Sequence, residues 1–195
     1  ILADGDFPSH PLALEWLRQC PYVVCCDGAA NTYIRSGRMP EAIVGDGDSL
    51  LPDIKERYAS LIHSEAEQET NDLSKAFRFC LSQERRRITI MGATGKREDH
   101  TIGNVSLLAD YMEQAEVSMM TDYGIFVPIR EDSMFESYIG QQISVFNMNS
   151  TALSAEGLAY PLSVFTNWWQ GTLNEALARH FIIRTEGKVL VFRVF

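Results

Sequence analysis

The sequence predicts an α/β unit built on a mostly parallel, doubly wound sheet, followed by a smaller antiparallel β unit. Three observations carry this. Residues 1–121 alternate short apolar runs with amphipathic stretches about five times. Runs such as Tyr22-Val23-Val24-Cys25-Cys26 are continuously apolar, the pattern of strands covered on both faces. After Asp122-Tyr123-Gly124 the helical rhythm gives way to short β-like segments between turn signals, so the boundary falls near Tyr123 and divides the chain into 1–122 and 123–195.

Each element has its own reason. Ile1-Leu2-Ala3 reads as a strand feeding the turn Asp4-Gly5-Asp6. Pro11 suits a helix first turn, and the helix runs to Gln19 with Leu12, Trp16 and Leu17 on one side. Pro21 stops it before the strand at 22–26. Small residues after Asp27 open a helix over 30–36 that Gly37 ends. Ala42-Ile43-Val44 is a buried strand, Pro52 to Tyr58 a helix, and Leu61-Ile62-His63 a weak strand. Leu73, Ala76, Phe77 and Cys80 fall at i, i+3, i+4, i+7 on a helix over 72–82. Arg87 to Met91 is the next strand. A helix over 99–114 would bury Ile102, Val105, Leu108, Ala109 and Met112, and Val117 to Met120 closes the unit as a strand. In the second unit, strands are expected at 125–127, 133–138, 142–146, 180–184 and 189–194. Ile139-Gly140-Gln141 and Glu186-Gly187-Lys188 read as hairpin turns, and 174–178 as a helical turn. These segments fit a small sandwich or barrel.

Composition excludes several functions. The chain has 195 residues, 46% of them apolar, enough to bury a core. Its net charge of −9 argues against nucleic acid, which wants a basic face. It leaves room for a nucleotide, because a metal ion bridges carboxylates to phosphates. Cys20, Cys25, Cys26 and Cys80 form no CxxC pair, so they read as buried free thiols of a cytoplasmic protein rather than zinc ligands or a disulfide framework. No apolar run approaches the ~20 residues that span a membrane.

Four polar clusters each follow an apolar run, and in a doubly wound sheet they project from one edge, beyond the carboxyl ends of the strands. Asp27 ends one strand. Asp46 and Asp48, in Gly45-Asp46-Gly47-Asp48-Ser49, end the next. Glu67, Glu69 and Asp72 enter a helix that carries Lys75 one turn on. Lys96, Arg97, Asp99 and His100 follow the turn Gly92-Ala93-Thr94-Gly95. Crowded carboxylates repel unless a cation lies between them, and glycine turns before helices present free N–H groups to anions. Together these are the parts for phosphoryl or pyrophosphoryl transfer. Neither GxxxxGK[ST] nor GxGxxG occurs.

The same residues resemble the thiamin pyrophosphokinase family. Cys26-Asp27-Gly28-Ala29-Ala30-Asn31 is similar to its CDGGAN segment, and Gly45 to Ser49 to its GDFDS. Glu67 to Ala76 resembles DxDxTDxxKA, and Gly92 to His100 with Asn104 resembles GATGGRxDHxxxN. Gly157 to Leu162 and Gly171 to Glu175 resemble GLKYPL and G-x-SNE. The resemblance implies an α/β catalytic unit, a β-sandwich that binds thiamin, and a homodimer with sites between subunits. It implies Mg²⁺-dependent transfer of pyrophosphate from ATP to the thiamin hydroxyl, giving thiamin diphosphate and AMP.

It also implies residue roles. Asp46, Asp48 and Asp72 would hold Mg²⁺ with Glu69 close by, and Asp99 would orient the thiamin hydroxyl or take its proton. Asp27, Gly28, Asn31, Lys75, Thr94, Gly95, Lys96 and Arg97 would face ATP and its phosphates. Gln68, Tyr160, Trp168, Thr172 and Asn174 would face thiamin, whose cationic ring wants an aromatic face. Plainer readings stand beside these: an Asx turn at Asp46–Asp48, a helix-start charge for Asp72, a solvated lysine for Lys75, an N-cap for Asp99 and strand-borne tryptophans at 168 and 169. The sequence departs from the family pattern at Glu67, Glu69, Asn71, Gly47, Lys96 and Leu173, the last where a Ser is expected. The substitutions at Glu67, Glu69 and Asn71 motivate one alternative, a nucleotide or thiamin sensor that has lost catalysis; another is a nucleotidyl or pyrophosphoryl transferase acting on a different hydroxyl acceptor.

Overall fold

The protein is described here from a computed structural model, which places residues 1–64 and 69–195. Glu67 and Gln68 lie outside the described residues. The chain forms two compact units, residues 1–107 with 114–122, and residues 108–113 with 123–195.

The first unit is a parallel sheet with helices. In order it contains α1 (Pro11–Gln19), β1 (Val24–Cys26), α2 (Ala29–Arg35), β2 (Ala42–Gly45), α3 (Pro52–Arg57), a 3₁₀ turn, β3 (Ile62–Ser64), α4 (Asp72–Ser82), β4 (Arg87–Ile90), α5 (Glu98–Tyr111) and β5 (Glu116–Met120). β1 pairs with β2 and β2 with β3, all parallel, and β4 pairs parallel with β5. Leu2 joins the two sets, bridging Cys25 on one side and Met91 on the other. The N–H of Leu2 donates to Val24 O and that of Ala3 to Met91 O, each at 2.8 Å. The order is therefore β3-β2-β1-Leu2-β4-β5, and it reverses direction between Leu2 and β4. Such a reversal opens a crevice outside the carboxyl ends of the strands. β1 and β2 are buried throughout, which is why their sequences run apolar without alternation.

Two helix faces differ from expectation. α1 buries Ala13 and Leu17, while Leu12 and Trp16 are exposed. The buried pair is spaced i, i+4 and the exposed pair sits one residue earlier, about 100° round the helix. α5 buries Leu108 and Tyr111 and leaves Ile102 exposed. Its last turn belongs to the second unit, where Lys188 Nζ donates to Ala109 O at 2.7 Å and pairs with Glu113 at 2.8 Å.

The second unit holds β6 (Gly124–Ile129), β7 (Ser133–Glu136), β8 (Gln142–Asn147), β9 (Leu153–Glu156), a 3₁₀ turn (Trp168–Gly171), β10 (Asn174–Glu175), β11 (His180–Thr185) and β12 (Val189–Val194). One antiparallel set runs β10-β8-β12-β6 and the other β7-β11-β9. Phe135 and Phe181 from the second set bury with Ile143, Val145, Val189 and Val191 from the first, which makes the unit a sandwich. Three expectations fail here. Residues 174–175 form a strand rather than a helical turn, and the tryptophans sit on a 3₁₀ turn rather than a strand. Gly140 and Gly187, at φ 87° and 129°, turn the chain tightly as glycine allows. Yet β7 and β8, like β11 and β12, lie in different sheets, so both turns are corners and not hairpins.

Candidate active site

The site begins where the sheet order reverses. Gly5 N donates to Gly92 O at 2.6 Å and Asp6 N to Thr94 O at 2.8 Å, pressing the loops after Leu2 and β4 together. A Cβ on Gly5 would strike the carbonyls of Gly92 and Thr94. Gly95 adopts φ 101°, and a Cβ there would collide with the Asp6 carboxylate. These glycines are what the close approach requires. Asp4 and Asp6 line this edge although the motifs did not single them out. The signal was available, since they too follow an apolar run, Ile1-Leu2-Ala3.

Three carboxylates gather next to it. Asp27 is buried, at 3% exposure, with φ 23°, and its Oδ2 accepts from Ser49 N at 3.0 Å. Its Oδ1 is buried with no donor facing it. Burial pushes the carboxyl above its ordinary value; the Ser49 hydrogen bond opposes this, and the charges of Asp46 and Asp72 reinforce it. Gly45 makes the cluster possible: a Cβ there would lie 2.8 Å from Asp27 Cβ and 3.4 Å from Asp72 Cγ. Asp46 is exposed, and its Oδ1 accepts from Asp48 N at 3.1 Å, an Asx turn. Asp48 is exposed beside Lys55 and Glu56, and Glu69 is exposed before α4.

Asp72 opens α4, capped by Asn71, whose Oδ1 accepts from Ser74 N at 2.9 Å. Lys75 is no solvated lysine. It is 4% exposed and pairs with Asp72 at 3.1 Å. Burying an ammonium demands such a partner. Asp72 also lines a cavity of about 540 Å³ with Asp4, Thr94, Lys96, Arg97 and Asp99. Lys96 pairs with Asp4 at 3.1 Å. Arg97 grips Asp99 through two hydrogen bonds, 3.0 and 2.5 Å. That grip holds the Asp99 carboxyl down at about 2, so Asp99 is a poor proton acceptor and a good anchor for Arg97. Asp99 lies within α5 rather than capping it, and its Oδ1 accepts from His100 N. Cys26 also faces the cavity, but burial pushes its thiol up and so disfavours the thiolate.

Some predicted ligand residues are already engaged. Asn31 donates to Ser49 O at 2.8 Å and accepts from Leu51 N at 3.0 Å, tying the loop after β2 to α2. Gly28 precedes α2 with Asp4 beside it, where a Cβ would be 2.6 Å from Asp4 Oδ2. In the second unit Asn174 is buried, donating to Tyr160 O at 2.8 Å and accepting from Tyr160 N at 3.1 Å. Tyr160 itself is exposed. Thr172 donates to Trp169 O at 2.8 Å, and Trp168 meets Phe146 edge-on at 6.0 Å, so both indoles stay at least partly open to solvent.

A hard divalent cation fits this donor chemistry. The orphaned Asp27 Oδ1 faces a neighbourhood of carboxylate oxygens. Among the described residues no three His, Cys, Asp or Glu side chains converge tightly enough to ligate an ion directly. Mg²⁺ keeps several waters and needs only one or two carboxylates, so these donors would fit it.

Fold and site thus define an α/β unit with a carboxylate-and-cation crevice at the reversal of a parallel sheet, followed by a β-sandwich. Residues 13–120 match the family described as thiamin pyrophosphokinase, catalytic domain, and residues 124–192 match thiamin pyrophosphokinase, substrate-binding domain. The chain belongs to the thiamin pyrophosphokinase family. It is 30% identical over 129 residues to thiamine pyrophosphokinase 1 of Oryza sativa subsp. japonica, covering 53% of this chain and 49% of that protein. It is 34% identical over 86 residues to thiamine pyrophosphokinase of Bacillus subtilis, covering 42% and 40%. The chain spans about half the length of the curated relatives it matches. The crystal structure of thiamine pyrophosphokinase from Bacillus subtilis superposes with a TM-score of 0.84 at 21% identity, over 99% of this chain and 96% of that one. That from Candida albicans gives 0.79 at 18% identity, over 100% and 88%. These two likenesses show the fold.

Proposed function

We propose that this chain transfers the pyrophosphoryl group of ATP to the hydroxyl of thiamin, releasing AMP and thiamin diphosphate. The observation that carries the reading is the meeting, at one sheet edge, of the carboxylates around Gly45 and a cavity edged by Lys96 and Arg97. Asp46, Asp48 and Asp72 would hold Mg²⁺, partly through water, with Asp27 beside them and Glu69 as a further carboxylate. The ion supplies charge neutralisation at the phosphates when bound. Lys75, held by Asp72, places a cation where phosphates would approach. Arg97, fixed by Asp99, does the same from the other wall. Thr94, Gly95 and Gly28 let the ATP phosphates lie close to backbone. The hydroxyl oxygen bonds to the β-phosphorus as the bond to the bridging oxygen breaks, AMP leaves with that electron pair, and the hydroxyl proton passes to water. Asp99, clamped by Arg97, is assigned positioning rather than proton transfer.

Thiamin is assigned to the second unit. Tyr160 and Trp168 offer aromatic faces, Thr172 a hydroxyl, and Asn174 holds the Tyr160 backbone in place. The proposal extends to Gln68, to a homodimer and to a cytoplasmic location. The exposed Trp169, Leu173 and Leu177 support an apolar contact surface, and the buried free thiols Cys25, Cys26 and Cys80 suit a reducing compartment. No helix among the described residues is long and apolar enough to cross a membrane.

The test is to incubate the protein with ATP, Mg²⁺ and thiamin and separate the products by chromatography. AMP and thiamin diphosphate should rise in equal amounts. Thiamin binding without AMP release would sink the reading.

A further inference from the structure

We infer that Lys55 is a positioning residue that sets the Asp46–Asp48 turn for cation binding, an inference that rests on the function proposed above. The two aspartates flank Gly47, which stands at φ 77°. On one side the turn is closed by Asp48 N donating to Asp46 Oδ1 at 3.1 Å. On the other, the Gly47 carbonyl accepts from Lys55 Nζ at 2.8 Å. Lys55 rises from the last turn of α3, a short helix that Pro52 starts, so its reach is fixed by a helix. A Cβ at position 47 would stand 3.2 Å from Lys55 Nζ and 3.3 Å from its Cε. The lysine thus fills the space that a side chain at position 47 would take. Asn31 and Asp27 already fix Ser49 and Leu51. Lys55 completes the loop's anchorage at the end that carries the carboxylates. Without it, the peptide between Gly47 and Asp48 gains freedom that glycine does not restrain.

The experiment measures Mn²⁺ binding to the nucleotide-free protein by electron paramagnetic resonance in wild type, Lys55→Met and Lys55→Arg. Thermal melts by circular dichroism check that each variant folds. Lys55→Met should weaken Mn²⁺ binding about tenfold, and Lys55→Arg, which keeps charge and donor, should stay within about twofold of wild type. In turnover, the Mg²⁺ concentration for half-maximal AMP release should shift alike, while the ATP KM at saturating Mg²⁺ holds. Unchanged or tighter Mn²⁺ binding in a folded Lys55→Met overturns the inference, as does a wild type that binds no Mn²⁺. A wild type that binds Mn²⁺ and makes no AMP overturns the proposed reaction instead.

Discussion

Asp27 carries the sharpest conflict at the residue scale. Its carboxyl is buried, stands at positive φ, leaves Oδ1 without a donor and faces two other acids. Such groups cost stability and persist where function needs them. Asp27→Asn supplies an N–H that a neighbouring carboxylate accepts and suits positive φ. We expect it to raise the melting temperature by a few degrees while cutting AMP release at least ~100-fold, the scale of losing one aimed electrostatic group. A variant both less stable and fully active would refute the assignment. Asp122 does the opposite work. Burial disfavours its charge, but hydrogen bonds from the backbone N–H groups of His10 and Ser9 and the Ser9 hydroxyl outweigh that and hold the carboxyl below its ordinary value of 3.8. A lowered folded value means stability that is present above 3.8 and lost as pH falls below it. Acid melts of Asp122→Asn should therefore lose part of this fall below pH 3.8, and the variant should melt lower than wild type at pH 7.

Elements were legible in the sequence where one local rule decides them. α1 and α4 start at Pro11 and beside Asn71, and both match their expected bounds. What the sequence did not reveal depends on partners far away along the chain. The faces of α1 depend on which sheet surface it meets. Glu186-Gly187-Lys188 specifies a reversal but not whether the strands on either side share hydrogen bonds. The burial of Lys75 was not legible because charge alone does not reveal its pairing with Asp72. Asn31 and Asn174 carry amides equally suited to ligand and to backbone. The turn Trp168–Gly171 offers an element-scale test. A Cβ on Gly171 would strike Val145 O on β8, whereas Gly103 on α5 has open space around it. Overpacking costs about 1–3 kcal/mol, so Gly171→Ala should melt roughly 2–12 °C lower, and Gly103→Ala should hold or gain up to about 1 kcal/mol. Equal melting temperatures for the two would contradict the packing.

For the whole molecule, a net charge of −9 sets a problem, because the proposed nucleotide is an anion. Attraction has to be local, and the proposed function assigns it to Lys96 and Arg97, which line the crevice. The homodimer proposed above is assigned to the large apolar side chains left open on the second unit, Trp169, Leu173 and Leu177. Sedimentation equilibrium is expected to return twice the 22.0 kDa of one chain. A single-chain mass at micromolar concentration would contradict this. The parallel sheet of the first unit was readable from alternation, because each short apolar run between amphipathic stretches reads as a strand covered on both faces. The sandwich was readable only as a class, since its corners are not encoded in turn residues.

Those corners govern how the chain reaches its native state. β12 sits between β6 and β8, so the central strand of that sheet is also the last strand in sequence. During synthesis β6 and β8 emerge with the edges meant for β12 bare, and the sheet stays open until Val189–Val194 arrives. The second unit therefore depends on late, long-range pairing, which is slow and leaves strand edges open to other chains meanwhile. The α/β unit, made of parallel strands that precede it, can complete its own sheet before that moment.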